Sequence, residues 1–187
     1  MGKYEMINLE ELFNNKGISR MNNPQDANFT GFGSSYISEN LPSSRSVLEL
    51  YGVPFLFPNK DPLVVDNLEF MNQEIQIKEA YYSNIHVLGA ADNGSFIEPI
   101  KLVGNDIKEV KIGLTDWIES SPKFNNKKGI ICEGINSNKS GYTRTVKTNI
   151  WYSVVGIPSN SLFKSILLVD NPSMHIFSLT LEKDGCL

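Results

Sequence analysis

Cysteine and histidine are scarce in this 187-residue chain, which contains two of each. Cys132 lies in an apolar run and Cys186 in the terminal tail, so the two do not form the framework of a disulfide-stabilised domain. His86 and His175 lie in strand-like runs, NIHVLG and SMHIFSL, and neither has the neighbours of a zinc motif. We interpret both as hydrogen-bonded, partly buried strand residues. No disulfide, zinc centre or organic cofactor is expected.

Concentrated positive charge is also missing. The net charge is −4, and basic residues never stand more than two in a row, which argues against nucleic-acid and anionic-membrane partners. No apolar run approaches the roughly 18 residues of a transmembrane helix. The start, MGKYEMINLEELF, has no signal-peptide core. The chain as given is expected to be soluble and cytoplasmic, or extracellular if a signal has been removed.

Short catalytic motifs are absent as well. The chain has no GxSxG elbow, no phosphate-binding glycine loop and no HExxH site. Its 21 acidic residues allow many carboxylate pairs of the kind that glycosidases use and single out none. The enzyme hypothesis that stays open is a small intracellular cyclase, isomerase or glycan-processing enzyme. It would use His86 or His175 beside Asp92 or Asp170 as an acid–base pair.

Short apolar runs separated by turn residues are what the sequence does contain. Trp151–Val155, Lys164–Val169 and His175–Leu181 are rich in β-branched, aromatic or leucine residues, and the alternation of Glu74–Lys78 is typical of a half-buried strand. About nine to eleven such runs and no amphipathic helix of about three turns predict an all-β fold. We expect a single antiparallel β-sandwich domain over residues 1–187, of jelly-roll type.

The polar loop Arg20–Tyr36 is threaded with aromatic and amide side chains. Sugars are bound by an aromatic face that stacks on their C–H groups and by planar Asp, Asn and Arg side chains that bind their hydroxyls. The loop that contains Asp92 and Asn93 and the loop that contains Trp117 converge with this one if all three lie at the same end of the sandwich. The alternative is that the asparagines form turns and the aromatics pack in the core. The predicted ligand-binding residues are Arg20, Asn23, Asp26, Asn28, Phe32, Tyr36, Asp92, Asn93 and Trp117.

Several segments follow one another in an order that a known family shares: Phe13–Ile18, Asn28–Tyr36, Leu41-Pro42, Gly52–Pro58, Asp66-Asn67, Val87–Gly94 and Asp170–Leu181. Together they resemble a galactose-binding-like β-sandwich domain, the carbohydrate-binding-module type that accompanies bacterial glycoside hydrolases. Thr30 departs from the acidic residue expected between Phe29 and Gly31. The resemblance implies a sandwich fold and a non-catalytic carbohydrate-binding module.

Two further hypotheses stay open. A structural calcium takes about six to eight oxygens, often from an irregular loop, and Asp26 in the loop Asn23–Asp26 is the candidate ligand, with Asp66 or Glu182 as a remote carboxylate. A sheet face or an edge strand would join the chain to another subunit, including a second copy of itself. The expected partners are a carbohydrate or small-molecule ligand and, as an option, a homo-oligomer; nucleic acid and membrane are not expected.

Overall fold

The computed structural model describes residues 2–158 and 162–185. The helical segments in that part of the chain are two 3₁₀ turns, Pro24–Asp26 and Ser38–Asn40. The strands described there are, in chain order, Tyr4–Ile7 (β1), Ile18–Ser19 (β2), Ser34–Ile37 (β3), Val47–Leu50 (β4), Val53–Leu56 (β5), Leu68–Met71 (β6), Glu74–Ala91 (β7), Phe96–Gly104 (β8), Ile107–Leu114 (β9), Lys127–Ser137 (β10), Gly141–Gly156 (β11), Leu162–Leu167 (β12) and Asp170–Lys183 (β13).

The long strand β7 joins the two layers of the fold. Its C-terminal part pairs with β11 and β13, and its N-terminal part pairs with β12. One layer extends from β7 through β11 and β10 to β3 and β2 on one side, and through β13 to β1 and β6 on the other; the second layer continues from β7 through β12 and β8 to β9. β4 and β5 form a separate hairpin. The predicted antiparallel β-sandwich is confirmed, and the jelly-roll strand order stays a prediction.

Alternate residues of β7 enter two different hydrophobic cores. Ile85, Val87 and Ala91 belong to a core shared with β8, β9 and β12, whereas Leu88 and Ala90 belong to a core shared with β3, β5 and β10. Successive side chains of a strand point to opposite faces. β7 is therefore covered on both faces over this stretch, which explains why its sequence is a nearly continuous apolar run.

β7 is longer than its sequence pattern indicates. The sequence predicts separate strands at Glu74–Lys78 and Tyr82–Gly89, and the structure joins them into one strand of 18 residues. The chain changes partner near the three residues between them, Glu79 to Tyr81, instead of turning: Tyr81 pairs with β12, and Tyr82 pairs with β13.

The one cysteine within the described residues is buried. The Cys132 thiol lies 3.6 Å from the Ile37 carbonyl oxygen, to which it donates, and burial raises its pKa. Cys186 lies outside the described residues, so the expectation about a disulfide to it is not addressed by the structure. No helix in residues 2–158 and 162–185 is long and apolar enough to span a membrane.

Candidate functional site

A cleft of about 430 Å³ lies where the loop before β3 meets β6, the turn after β7 and the start of β13. It brings together two of the loops that the sequence analysis singled out. Amide, hydroxyl and carboxylate groups surround one exposed aromatic ring. The residues that line it are Asn15, Asn28, Phe29, Thr30, Gly31, Phe32, Glu69, Asp92, Asn93, Pro172 and Ser173.

Phe32 is presented on a tightly closed loop. Asn28 Oδ1 accepts the Gly33 main-chain N–H over 2.6 Å, and Thr30 Oγ1 accepts the N–H of Phe32 over 3.3 Å. Gly33 has a φ of +93°, and a side chain there would overlap that of Asn138, so this position requires glycine. The Phe32 side chain is 70% exposed. The loop therefore holds a large apolar ring in solvent through local hydrogen bonds.

Asp92 and Asn93 form the opposite wall in the turn after β7. Asn93 has left-handed backbone geometry (φ 56°), which asparagine tolerates better than most residues. Its side-chain amide donates to Asp92 Oδ2 over 2.7 Å, and the Asp92 N–H donates to the Ser173 carbonyl oxygen over 3.0 Å. Asp92 is 2% exposed. The Asn93 amide binds Oδ2, and no such bond reaches the second carboxylate oxygen, Oδ1, from the described residues.

His175 lies behind Asp92 and is 1% exposed. Its Nδ1 is 2.8 Å from Asn67 Oδ1. The Asn67 amide nitrogen donates to Asn15 Oδ1 and Asp66 Oδ1, which identifies Asn67 Oδ1 as an acceptor and places a proton on Nδ1. The other ring nitrogen, Nε2, has no hydrogen-bond partner within the described residues and lies 3.7 Å from Asp92 Oδ1. The ring nitrogen that lacks a hydrogen-bond partner among the described residues is therefore turned towards the cleft carboxylate.

A buried carboxylate, Asp66, accepts a hydrogen bond from Asn67, the residue that contacts His175. It accepts two main-chain N–H groups of the segment that leads into β2, and it binds the Lys16 ammonium over 2.7 Å. Burial raises the pKa of Asp66, and the charge and hydrogen bond of Lys16 oppose that rise. Hydrogen bonds thus link Asp66 to Asn67 and Asn67 to His175, and His175 Nε2 lies 3.7 Å from Asp92 at the cleft.

Glu69 is a cleft residue that the sequence analysis missed. In the ladder between β6 and β13 it stands opposite His175, and residues directly opposite in an antiparallel pair share a face of the sheet. Glu69 Oε2 accepts a hydrogen bond from Asn15 Nδ2 over 3.2 Å. Asn15 and Ser173, two other cleft residues that were not predicted, lie inside segments that carry the family resemblance, and this position could have indicated them. Glu69 has no such signal, since only the strand register brings it to the cleft.

Tyr36 and Trp117 were predicted to bind ligand, and the structure places both in the core. Their exposures are 0% and 4%, and each packs against the other and against Phe29. The Tyr36 hydroxyl donates to the Asn149 carbonyl oxygen over 2.9 Å, and burial raises the pKa of Tyr36 well above its usual range. Neither ring offers a face to a ligand here. Core packing is the correct interpretation for these two aromatics, and Phe32 is the exposed one.

Arg20, Asn23 and Asp26 lie in a separate turn and do not line the cleft. Arg20 and Asn23 form an isolated bridge, and the Asn23 amide donates to Asp26 Oδ1 over 2.6 Å. Across the described residues, no group of three or more His, Cys, Asp or Glu side chains is arranged to hold a metal ion. The two remote carboxylates considered for calcium, Asp66 and Glu182, are both paired with lysines. A calcium ion at Asp26 stays a prediction.

The other histidine, His86, belongs to a separate network on β7. Its Nδ1 is 2.9 Å from the Tyr152 hydroxyl, and its Nε2 is 3.2 Å from Glu182 Oε2. Burial lowers the pKa of His86, and the hydrogen bond with Glu182 acts in the opposite direction. Both ring nitrogens are satisfied, and none of these residues lines the cleft.

One protein family matches almost the whole chain. The profile of the AziU2-like beta-sandwich domain aligns with residues 3–185. The chain belongs to this family. The match includes every residue of the cleft of this AziU2-like domain, and the family's description agrees with the two-layered β-structure while naming no ligand and no reaction. No curated protein matches the chain at a significant level.

Proposed function

We propose that this AziU2-like domain is a non-catalytic binding module for a carbohydrate or a similar polyhydroxylated ligand, of the galactose-binding-like kind that its sequence resembles. The binding site is the cleft between the Phe32 loop and the Asp92-Asn93 turn. The observation that carries the proposal is the Phe32 ring, which is 70% exposed in a cleft otherwise rich in amide and carboxylate groups.

The chemistry of the lining supports a sugar. An aromatic ring covers the C–H face of a pyranose, while planar side chains exchange hydrogen bonds with its hydroxyls. Asn28, Asn93 and Glu69 supply such planar groups around Phe32. Small-molecule sites span roughly 300–1,000 Å³, so a cleft of about 430 Å³ suits a short saccharide.

The fixed geometry of the cleft favours binding as well. The Phe32 loop is closed by the Asn28 and Thr30 side chains, and the Asp92 turn is tied to β13 through Ser173. Groups that are already ordered lose little conformational entropy when a ligand binds. Both walls of the cleft therefore contribute contacts at a low cost in entropy.

The test is a glycan array followed by calorimetric titration of each glycan that binds. Phe32→Ala is expected to weaken binding about tenfold, because losing the apolar contact of such a ring costs on the order of 1–2 kcal/mol. Phe124→Ala is the matched control, since Phe124 is 44% exposed and lies outside the cleft. Absence of binding to any glycan at millimolar concentration would rule the proposal out.

Acid–base catalysis in the same cleft is the second candidate. Of the histidine–carboxylate pairs considered from the sequence, His175 and Asp92 lie together: Nε2, which has no hydrogen-bond partner among the described residues, is 3.7 Å from Asp92 Oδ1. A carboxylate that contacts both a ligand and a histidine is a recurring acid–base arrangement. Incubation of the domain with each bound glycan, followed by NMR, tests this candidate. Conversion that Asp92→Asn abolishes supports it, and an unchanged glycan rejects it.

A further inference from the structure

The cleft has an excess of negative charge. Among the described residues, Glu69 and Asp92 are the two carboxylates in its lining, and no lysine or arginine lines it. Some acidic side chains elsewhere on the domain have basic partners: Asp66 binds Lys16, and Glu133 binds Lys147. The cleft carboxylates are not neutralised in this way.

The partners of the two cleft carboxylates are neutral amides. Glu69 Oε2 accepts from Asn15, and Asp92 Oδ2 accepts from Asn93. Amide donors fix the orientation of a carboxylate and leave its charge in place. Among the described residues, no donor binds Glu69 Oε1 or Asp92 Oδ1, and Asp92 Oδ1 faces His175 Nε2 over 3.7 Å.

The buried ring of His175 faces Asp92, one of the two cleft carboxylates. Its Nε2 has no hydrogen-bond partner within the described residues, although the side chain is 1% exposed, and it lies 3.7 Å from Asp92 Oδ1. Most buried polar atoms of native proteins have a partner, and four others without one are found among the described residues: Asn136 Oδ1, Thr148 Oγ1, Ser165 Oγ and Ser178 Oγ. His175 adds at most one positive charge to the two negative charges of Glu69 and Asp92. The cleft is thus net negative in either state of the histidine.

An ammonium group supplies what this lining lacks. It carries one positive charge and three N–H donors and has no acceptor, so it matches two carboxylates with unoccupied oxygens. A cation beside an aromatic face is also favourable, and Phe32 is the exposed ring of the cleft.

We propose that the ligand of this cleft carries a primary ammonium group, which Asp92 and Glu69 bind while Phe32 covers the apolar face next to it. The inference rests on the proposed carbohydrate-binding function and narrows it to amino sugars with a free amine. Asp92 and Glu69 are then the residues that determine specificity.

Matched sugars test the charge directly. Glucosamine and galactosamine are titrated calorimetrically beside their N-acetylated forms and beside glucose and galactose, at low ionic strength. The free amines should bind about tenfold more tightly, because hydrogen bonds to charged groups exceed neutral ones by that order, and added salt should reduce the difference. Equal or tighter binding of the neutral sugars overturns the ammonium inference and leaves the carbohydrate-binding function standing. Failure of these sugars and of every glycan on the array to bind overturns both.

Isosteric variants identify the groups responsible. Glu69→Gln and Asp92→Asn remove one negative charge each with little change of shape, and each should weaken binding of the free amines about tenfold while affecting the N-acetylated sugars much less. Glu133→Gln, on β10 outside the cleft, is the control and should change neither. Circular dichroism checks the fold, and Glu69→Gln, at a half-buried position, keeps the test valid if Asp92→Asn does not fold. Amine selectivity that survives Glu69→Gln and any folded Asp92→Asn overturns the assignment.

Discussion

The two histidines of this domain are alike in sequence context and differ in what surrounds them. His86 and His175 lie on the neighbouring strands β7 and β13, with exposures of 5% and 1%, and each faces a carboxylate. His86 has partners for both ring nitrogens, the Tyr152 hydroxyl and Glu182. Within the part of the chain that the structure describes, His175 has a hydrogen-bond partner for Nδ1 alone.

This difference separates a structural network from a candidate site. Native proteins satisfy nearly all their buried polar atoms, and the exceptions concentrate where function or strain requires them. The His86 network closes on itself and lines no described cleft. The unsatisfied nitrogen of His175 stands behind a carboxylate that lines the proposed binding cleft.

The largest expected loss of stability comes from substituting Asp66, which is linked to His175 through Asn67. Asp66→Asn removes the charge that pairs with Lys16, whose side chain is 14% exposed, and breaking a buried ion pair costs about 3–5 kcal/mol. Urea denaturation measures the change in the free energy of unfolding. Glu182→Gln, which removes the carboxylate beside His86, is the matched variant and should cost clearly less, because Glu182 is partly exposed and its ion pair with Lys3 is at the surface. Equal losses from the two variants would contradict the contrast between the networks.

Acid pH is expected to act on the His86 network. Burial lowers the pKa of His86 below the ordinary value of 6.5, so the unfolded chain takes up a proton at a higher pH than the folded one does. The stability that neutral His86 contributes is therefore complete above pH 6.5 and is lost as the pH falls towards the pKa of the folded state.

Urea midpoints measured in steps from pH 7.5 to pH 5 test this pH dependence, with His86→Gln as the comparison. The variant should lose less stability over that range than the unsubstituted domain, since glutamine does not titrate. Glu182 does not obscure the result, because its own pKa is lowered from 4.5 and its contribution is lost only below that value. Parallel curves for the two proteins would show that His86 is not responsible.

Ligand binding should distinguish the histidines without any loss of stability. The chain contains two histidines, so the imidazole region of a ¹H–¹⁵N NMR spectrum is simple, and His86→Gln assigns it. A sugar bound in the cleft should shift the His175 resonances through Asp92, which lies 3.7 Å away, and leave those of His86 in place. Shifts of similar size at both histidines would place the ligand elsewhere.

Features that depend on neighbouring residues could be predicted from the sequence, and features that depend on contacts between distant segments could not. The sandwich fold follows from local alternation and turn residues. Asn28 and Phe32 line one cleft with Asp92 and Asn93, an arrangement that the sequence predicted only on the condition that their loops lie at the same end of the sandwich. Glu69 was missed because only the register between β6 and β13 places it in the cleft.

The aromatic residues of the Arg20–Tyr36 loop show the same limit. Phe29, Phe32 and Tyr36 look equivalent in a polar loop, and their exposures are 1%, 70% and 0%. Burial is decided by what packs above each ring, and for Tyr36 that includes Trp117, 81 positions further along the chain. No local pattern carries that information, which is why both Phe32 and Tyr36 were predicted from the sequence to bind ligand although Tyr36 lies in the core.

The smallest expected effect on stability is that of Phe32→Ala. The ring is 70% exposed, and substitutions at such surface positions usually change the free energy of unfolding by less than about 0.5 kcal/mol. Phe29→Ala, three positions earlier, removes a ring that is 1% exposed and packs against His175 with ring centroids 4.3 Å apart, at a cost of about 3–5 kcal/mol. Urea denaturation measures both. If Phe32→Ala proves nearly as costly as Phe29→Ala, Phe32 belongs to the fold, and the exposed ring no longer argues for a binding cleft in front of His175. A near-zero cost combined with weakened sugar binding leaves ligand contact as the role of the ring.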